Sequence, residues 1–168
     1  MKKLTLVLVV LLVSLSVFAG QRTELILKPF EAGVFNDPVT DEKSNSKYGL
    51  GGAVSLIYTL DGTIYGVGGE LSADTFFFDD SNYFNVSLQG KVGVDSEIGE
   101  VDNAFFYAKV GAVAKFHGTY MEVRPLIGAQ AGITRELNDN TSLTFGIEGE
   151  YAVPGLSFGL NVGIKHEL

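Results

Sequence analysis

Apolar and polar residues alternate along most of the chain with a period of two. In residues 47–60, large apolar side chains such as Tyr48, Leu50 and Val54 occupy the even positions, and mainly small or polar residues occupy the odd ones. This period is typical of a β-strand, because successive side chains point to opposite faces. Six later segments repeat the pattern: 63–73, 82–94, 106–116, 121–133, 143–151 and 156–165. With a less regular segment at about 24–35, the number of predicted strands is eight.

Two-residue hairpin turns are predicted at Asp61-Gly62, His117-Gly118 and Pro154-Gly155. They would pair Tyr58 with Tyr65, Ala114 with Met121 and Tyr151 with Phe158. Each pairing keeps the apolar side chains on one face, whereas a slip of one residue would place apolar against polar. The turns therefore agree with the strands that the alternation predicts.

The first predicted strand is irregular. Its apolar positions are Ile26, Phe30, Ala32 and Val34. If the alternation is uninterrupted, they share a face with Glu24 and Lys28. Pro29 cannot donate a hydrogen bond within a sheet, so we expect a β-bulge there.

Alternation alone does not show whether the apolar face of the strands points inward or outward. The interior of an eight-stranded barrel is only just wide enough to be filled by side chains, so the large apolar set does not fit inside it. The opposite face is rich in glycine, which in a strand marks close approach or tight curvature. The sequence therefore predicts an all-β fold, an eight-stranded antiparallel up-and-down transmembrane β-barrel. The alternative is a secreted soluble β-sandwich or lipid-binding module, which would bury the apolar face between two sheets.

Aromatic residues recur on the apolar face. Tyr48 and Tyr58 are ten residues apart, which corresponds to roughly 25 Å of height in a tilted strand. A membrane barrel carries an apolar band of that height with aromatic girdles at its edges. We predict that the girdle consists of Tyr48, Tyr58, Tyr65, Phe84, Phe106, Phe116, Tyr151 and Phe158.

Charged residues of both signs lie on the face that would line the lumen: Glu70, Lys91, Lys109, Lys115, Glu122, Arg124, Glu148, Glu150 and Lys165. An unpaired buried charge is costly, so we expect these residues to form a paired network that closes the lumen. The alternatives are a polar channel and a ligand site. Glu148 and Glu150 could act as paired carboxylates, but both lie in a row that also offers cationic partners.

The first nineteen residues have the features of a secretory signal peptide. Lys2 and Lys3 precede an apolar run at 4–13, and Val17 and Ala19 give a small-residue cleavage pattern. We therefore predict a signal peptide at 1–19 and the barrel at 20–168. Removing the two lysines changes the formal charge from −8 to −8 − 2 = −10. A chain this acidic is a poor candidate for binding nucleic acid.

With eight strands, both ends of the barrel domain fall on the periplasmic side. The turns at 61–62, 95–102 and 135–140 would be periplasmic, and the loops at 36–46, 74–81, 117–118 and 153–155 would face outward. The run Phe76-Phe77-Phe78 would lie along the upper girdle or form an exposed contact patch.

The sequence offers no recognisable catalytic or cofactor site. The two histidines, His117 and His166, are far apart in the predicted barrel, so a metal site is not expected. His117 with Thr119 is too little to define an outer-membrane lipid-modifying enzyme, so we expect no enzymatic activity and no cofactor.

In strand number, in alternation and in its alternating last strand, the sequence resembles the small eight-stranded outer-membrane barrels of the OmpA transmembrane domain and OmpX type over about residues 24–168. The resemblance implies an outer-membrane location, lipid around the barrel and insertion by the barrel-assembly machinery. We hypothesise a non-enzymatic envelope protein with a structural or adhesive role, which meets an extracellular partner through its outer loops. A narrow porin and a lipid-modifying enzyme are the alternatives.

Overall fold

The computed structural model describes residues 21–36, 43–45, 48–60, 64–77, 82–100, 102–152 and 155–167. The predicted signal peptide at 1–19 lies outside these residues and stays a prediction. The described strands are β1 (Gln21–Asn36), β2 (Lys43–Asn45), β3 (Tyr48–Thr59), β4 (Tyr65–Phe77), β5 (Asn82–Glu97), β6 (Asp102–His117), β7 (Tyr120–Asn138), β8 (Thr141–Ala152) and β9 (Gly155–Glu167). Within the described residues, no helix is long and apolar enough to cross a membrane.

The strands close into an antiparallel barrel. Eight of them follow one another around the wall in the order β1-β3-β4-β5-β6-β7-β8-β9, and β1 also pairs with β9. The short β2 pairs only with the end of β1, at Val34–Asn36. Because β1 is hydrogen-bonded on both sides, the wall has no open edge. The predicted eight-stranded barrel is therefore confirmed, and the β-sandwich alternative is wrong.

The two ends of the barrel differ in their connections. We call the end where β1/β3, β4/β5, β6/β7 and β8/β9 are joined the outer mouth, following the predicted orientation. The other end, where β3/β4, β5/β6 and β7/β8 are joined, is the inner mouth. The described chain also begins and ends at the inner mouth, since Arg22 pairs with Glu167.

The distribution of side chains is the reverse of that in a soluble protein. Large apolar residues on the outside are exposed, such as Val110 at 63% and Leu88 at 64%. Polar residues on the inside are buried, such as Ser55 at 0% and Glu70 at 1%. Soluble proteins almost never bury so many charged side chains. The apolar exterior is therefore the surface that faces lipid.

The predicted hairpin registers are wrong by two residues. In the structure Tyr58 pairs with Val67, Ala114 with Val123 and Tyr151 with Leu156. The tight turn of β6 and β7 lies at Gly118-Thr119, where Gly118 has a φ of 58°, and not at His117-Gly118. The other two predicted turns, Asp61-Gly62 and Pro154-Gly155, fall wholly or partly on residues outside the described ones.

The predicted bulge in the first strand is confirmed, but the face assigned beyond it is wrong. The pairing of β1 shifts register between Leu27 and Glu31 on both of its neighbours. Glu24, Ile26 and Lys28 point inward as a set, whereas Phe30 and Val34 are exposed on the outside at 48% and 42%. A bulge inserts one extra residue, so the alternation changes phase after Pro29.

The predicted outer loop at 74–81 begins later than expected, because β4 continues to Phe77. Phe76 is buried against Tyr83 on the inside, and Phe77 stacks on Tyr48 at a centroid distance of 4.8 Å. The run therefore divides between the two faces, and Phe78 lies outside the described residues. On the inner side β5 and β7 also run on, to Glu97 and Asn138, so the turns predicted at 95–102 and 135–140 are shorter than expected.

Candidate functional site: the charged lumen

Lys109 lies at the centre of the lumen with three carboxylates around it. Its Nζ is 2.7 Å from Glu70 Oε1, 2.6 Å from Glu148 Oε2 and 2.8 Å from Glu150 Oε1. These carboxylates come from β4 and β8, while Lys109 comes from β6. Their oxygens lie within 4.8 Å of one another. The ammonium group thus sits where three carboxylates converge and links non-adjacent strands across the lumen.

A second lysine, Lys91 on β5, extends this cluster toward the inner mouth. Its Nζ donates to Glu70 Oε2 at 2.9 Å, to Gln130 Oε1 at 2.8 Å and to Ser55 Oγ at 3.1 Å. It also lies 5.3 Å from the centre of the Tyr107 ring, within the range of a cation–π contact. Both oxygens of Glu70 are therefore matched by ammonium groups.

A third lysine, Lys28 on β1, is shared among three carboxylates toward the outer mouth. Its Nζ is 2.7 Å from Glu148 Oε1, 3.4 Å from Asp74 Oδ1 and 3.8 Å from Glu31 Oε1. Lys28, Glu31 and Asp74 were not among the predicted lumen charges. The phase change at the Pro29 bulge conceals Glu31, and Asp74 was assigned to a loop.

The central cluster carries more acid than base. It contains the five carboxylates Glu31, Glu70, Asp74, Glu148 and Glu150 and the three ammonium groups Lys28, Lys91 and Lys109. The formal charge is therefore 3 − 5 = −2. Because all eight side chains are buried at 9% exposure or less, water compensates this excess poorly.

The other predicted lumen residues lie away from this cluster. Near the outer mouth, Glu122 and Arg124 pair at 2.7 Å, with the Arg124 side chain 39% exposed. Lys115 is buried and donates to the Ala152 carbonyl at 3.3 Å. Near the inner mouth, Lys165 is 3.3 Å from Asp95 Oδ2. The predicted set thus divides into a central group of five residues, an outer pair with Lys115 nearby, and Lys165 at the inner mouth.

Asp95 accepts hydrogen bonds from three side chains at the inner mouth, although residues 95–102 were predicted to be a turn. Its Oδ2 accepts from the Tyr107 hydroxyl at 2.6 Å, from Arg22 at 3.2 Å and from Lys165 at 3.3 Å. Arg22 also pairs with Glu167 at 2.8 Å, across the β1–β9 seam. These contacts join strands from four positions around the wall.

Apolar side chains enclose the charged cluster at both ends. On the inner side Ile57, Phe105 and Tyr107 form one buried group. On the outer side Phe76 packs against Tyr83. A further buried group there consists of Val113, Leu126 and Ala152.

Glycines allow neighbouring strands of the barrel wall to approach each other closely. A Cβ at Gly111 would overlap the backbone of Leu88 and Gln89, and one at Gly93 would overlap that of Phe106 and Tyr107. Close backbone approach in a tightly curved sheet is a common reason for glycine in a strand. The small residues that suggested a lumen thus also permit the curvature that forms it.

All eight predicted girdle residues project from the outside of the wall. Exposed fractions reach 56% for Tyr65 and 60% for Phe158, and Phe84 lies 6.0 Å from Phe116, centroid to centroid. Tyr58, Tyr65 and Phe106 lie toward the inner mouth, and Tyr48 lies close to the outer one. Their role as membrane anchors stays a prediction.

The outside also has an apolar depression of about 490 Å³, whose lining includes Phe106, Ala129, Ile147, Gly149 and Phe158. It belongs to the surface that faces lipid.

The geometry defines a closed eight-stranded barrel with an apolar outside and a charged inside, which is a transmembrane barrel of the outer-membrane class. The fold is similar to Neisserial surface protein A, with a TM-score of 0.72 and 11% identity over 89% of this chain and 98% of that one. It is also similar to Ail, the attachment invasion locus protein of Yersinia pestis, with a TM-score of 0.57 and 14% identity over 89% and 99%. A de novo designed transmembrane β-barrel gives a TM-score of 0.51 and 12% identity over 90% and 98%.

No protein-family model and no curated protein matches the sequence. At such low identities the structural likeness concerns the fold. The predicted resemblance to the small outer-membrane barrels is confirmed at the level of the fold, by the number of strands and by the apolar exterior.

Proposed function

We propose that the protein is a non-enzymatic outer-membrane barrel with a structural or adhesive role in the cell envelope and a lumen closed to ions. The observation that carries the proposal is the central cluster, in which Lys109 bridges Glu70, Glu148 and Glu150 across the lumen. An ion passing through would have to displace these contacts in a medium where separated charges are costly. The apolar groups on both sides would add dewetted constrictions.

With the lumen closed, the biological role of the protein would be carried by its outer surface. Loops at the outer mouth are the part of such a barrel that can meet another cell or molecule, since loops on a rigid scaffold commonly carry binding. The formal charge of −10 after signal-peptide removal favours a basic or neutral partner over an anionic one. The similarity in fold to Ail, named for attachment, is compatible with an adhesive role. We further propose that lipid surrounds the barrel and that the barrel-assembly machinery inserts it.

Single-channel recording in a planar bilayer tests the closed lumen. We expect purified protein to give no steady conductance. The Arg124→Ala variant should behave in the same way, because Arg124 lies at the outer mouth and not in the central cluster. Long-lived conductance whose ion preference changes in Arg124→Ala would instead identify a narrow porin.

An adhesion assay tests the outer role. Cells that display the protein are compared with cells that display a variant in which residues 37–42 are replaced by a glycine-serine segment. We expect the variant to insert normally and to lose binding to host-cell or matrix surfaces. Equal binding by cells with and without the protein would contradict the adhesive role and leave the structural one.

A further inference from the structure

A small cavity lies between the central cluster and the outer mouth. Its volume is about 20 Å³, and its polar lining consists of Asp74, Asn85, Ser87, Lys115, Glu150 and Ser157. A space of this size holds about one water molecule or one bare ion.

Two oxygens at this cavity lack hydrogen-bond partners among the described residues: Asp74 Oδ1 and Asn85 Oδ1. Both side chains are more than nine-tenths buried, with exposures of 4% and 7%. Among the described residues, the ion-pair partner of Asp74 Oδ1 is Lys28, at 3.4 Å, and Lys28 is shared with Glu148 and Glu31. A buried carboxylate oxygen and a buried amide oxygen thus lie at one cavity as acceptors, and neither receives a hydrogen bond from the described residues.

The charge balance of the lumen indicates what fills it. The described acids that face the lumen or its inner mouth, apart from the Glu122–Arg124 pair, are Glu24, Glu31, Glu70, Asp74, Asp95, Glu148, Glu150 and Glu167, and the bases are Arg22, Lys28, Lys91, Lys109, Lys115 and Lys165. The sum is 6 − 8 = −2. This count includes Lys115, the cation that lines the cavity, which donates to the Ala152 carbonyl.

We propose that this cavity binds one small monovalent cation of the sodium class, with Asp74 and Asn85 as its principal oxygen ligands and Glu150 as a neighbouring charge. Carboxylate and amide oxygens are the ligands that hard cations prefer. A water molecule would fit the space but adds no charge, whereas one Na⁺ would reduce the formal charge of the lumen from −2 to −1. The site goes beyond the proposed envelope role, since it concerns what occupies the lumen.

Equilibrium urea unfolding in lipid vesicles tests the site, with NaCl compared against choline chloride at the same ionic strength. Choline is too large for the cavity, whereas general screening is equal in the two salts. A Na⁺ concentration ten times its Kd should lower the unfolding equilibrium constant about elevenfold relative to choline. The Asp74→Asn variant should lose this difference, and the matched Glu122→Gln variant should keep it.

Crystals grown in RbCl give a direct measurement on the unaltered protein, in case Asp74→Asn does not fold. We expect an anomalous-scattering peak between the Asp74 and Asn85 side chains, and its loss in Asn85→Ala. No such peak together with equal unfolding in Na⁺ and choline would overturn the proposal, as would a sodium effect that persists in Asp74→Asn. These measurements read ion occupancy and not conductance, so they are independent of whether the lumen is closed.

Discussion

Lys109 is the common ion-pair partner of three buried carboxylates. Replacing it with methionine keeps most of the side-chain volume but leaves Glu70, Glu148 and Glu150 without their common cation. Breaking a buried ion pair from one side costs about 3–5 kcal/mol. We expect Lys109→Met to lower the free energy of unfolding by about this amount in urea titrations. Arg124→Met at the outer mouth is the control, and it should change stability by less than about 1 kcal/mol.

The same variant should gain a metal site. The three carboxylates have oxygens within 4.8 Å of one another, and two oxygens bound to one Ca²⁺ can be at most roughly 5 Å apart. Millimolar Ca²⁺ should therefore restore stability to Lys109→Met, with no comparable effect on the wild type. If Ca²⁺ stabilises both proteins equally, the convergence of the three carboxylates on one cation position is wrong.

At the residue scale, alternation placed most lumen charges on the inner face but did not identify their partners. Glu70, Lys109 and Glu148 were predicted to point inward, and they do so. Which of them meet depends on how neighbouring strands are staggered around the barrel, and alternation within a strand carries no such information. Lys28 was assigned to the apolar face because simple alternation was continued through Pro29. The change of phase that a bulge causes cannot be read from one strand alone.

At the element scale, the hairpin registers show which information the hydrophobic pattern contains. Moving a two-residue turn by one position shifts every pair by two residues and leaves each side chain on its original face. Alternation therefore excluded a slip of one residue but could not distinguish Ala114–Met121 from the observed Ala114–Val123. In the structure His117 pairs with Tyr120, so the turn is Gly118-Thr119, and Gly118 adopts a positive φ at its first central position.

That turn gives a prediction for the β6–β7 hairpin. Gly118 has a φ of 58° and no heavy atom within 4 Å of a Cβ placed on it, so a substitution would meet backbone strain without a steric clash. Gly118→Val should cost about 1–2 kcal/mol, because a side chain with a branched Cβ disfavours the left-handed conformation. Gly118→Asn should cost clearly less, since asparagine tolerates this region. Equal losses for the two variants in unfolding titrations would mean that the turn lies elsewhere.

The middle of β6 tests the lipid-facing surface. Val110 is 63% exposed on the outside of the wall. An arginine at the bilayer midplane costs about 2–4 kcal/mol, and the cost falls to about 0–1 kcal/mol near the interfaces. We expect Val110→Arg to destabilise the barrel by the larger amount and Met121→Arg, near the outer mouth, by the smaller one. A neutral Val110→Arg in folding titrations would show that this face does not meet lipid.

At the scale of the whole molecule, the proposed closure of the lumen would consist of three barriers in series. Phe76 lies on the outer side, the cluster around Lys109 at the centre, and Phe105 on the inner side. The Phe105 ring lies over Gly132 and Gly146, since a Cβ on either glycine would meet its Cζ, at 2.7 and 3.1 Å. A large aromatic side chain thus covers a part of the wall that has no side chains of its own.

Barriers in series make conductance depend on the whole set. Removing one leaves the others, so Phe76→Ala, Lys109→Ala and Phe105→Ala should each remain silent in planar bilayers. The triple variant should conduct. It should prefer cations, because loss of Lys109 changes the lumen balance from 6 − 8 = −2 to 5 − 8 = −3, and a pore lined by excess carboxylates selects cations. Heat-dependent mobility on gels would show that each variant is folded before recording. Steady conductance in Lys109→Ala alone would show that the aromatic groups are no barrier, and a folded but silent triple variant would show that the closure lies in a part of the barrel other than these three.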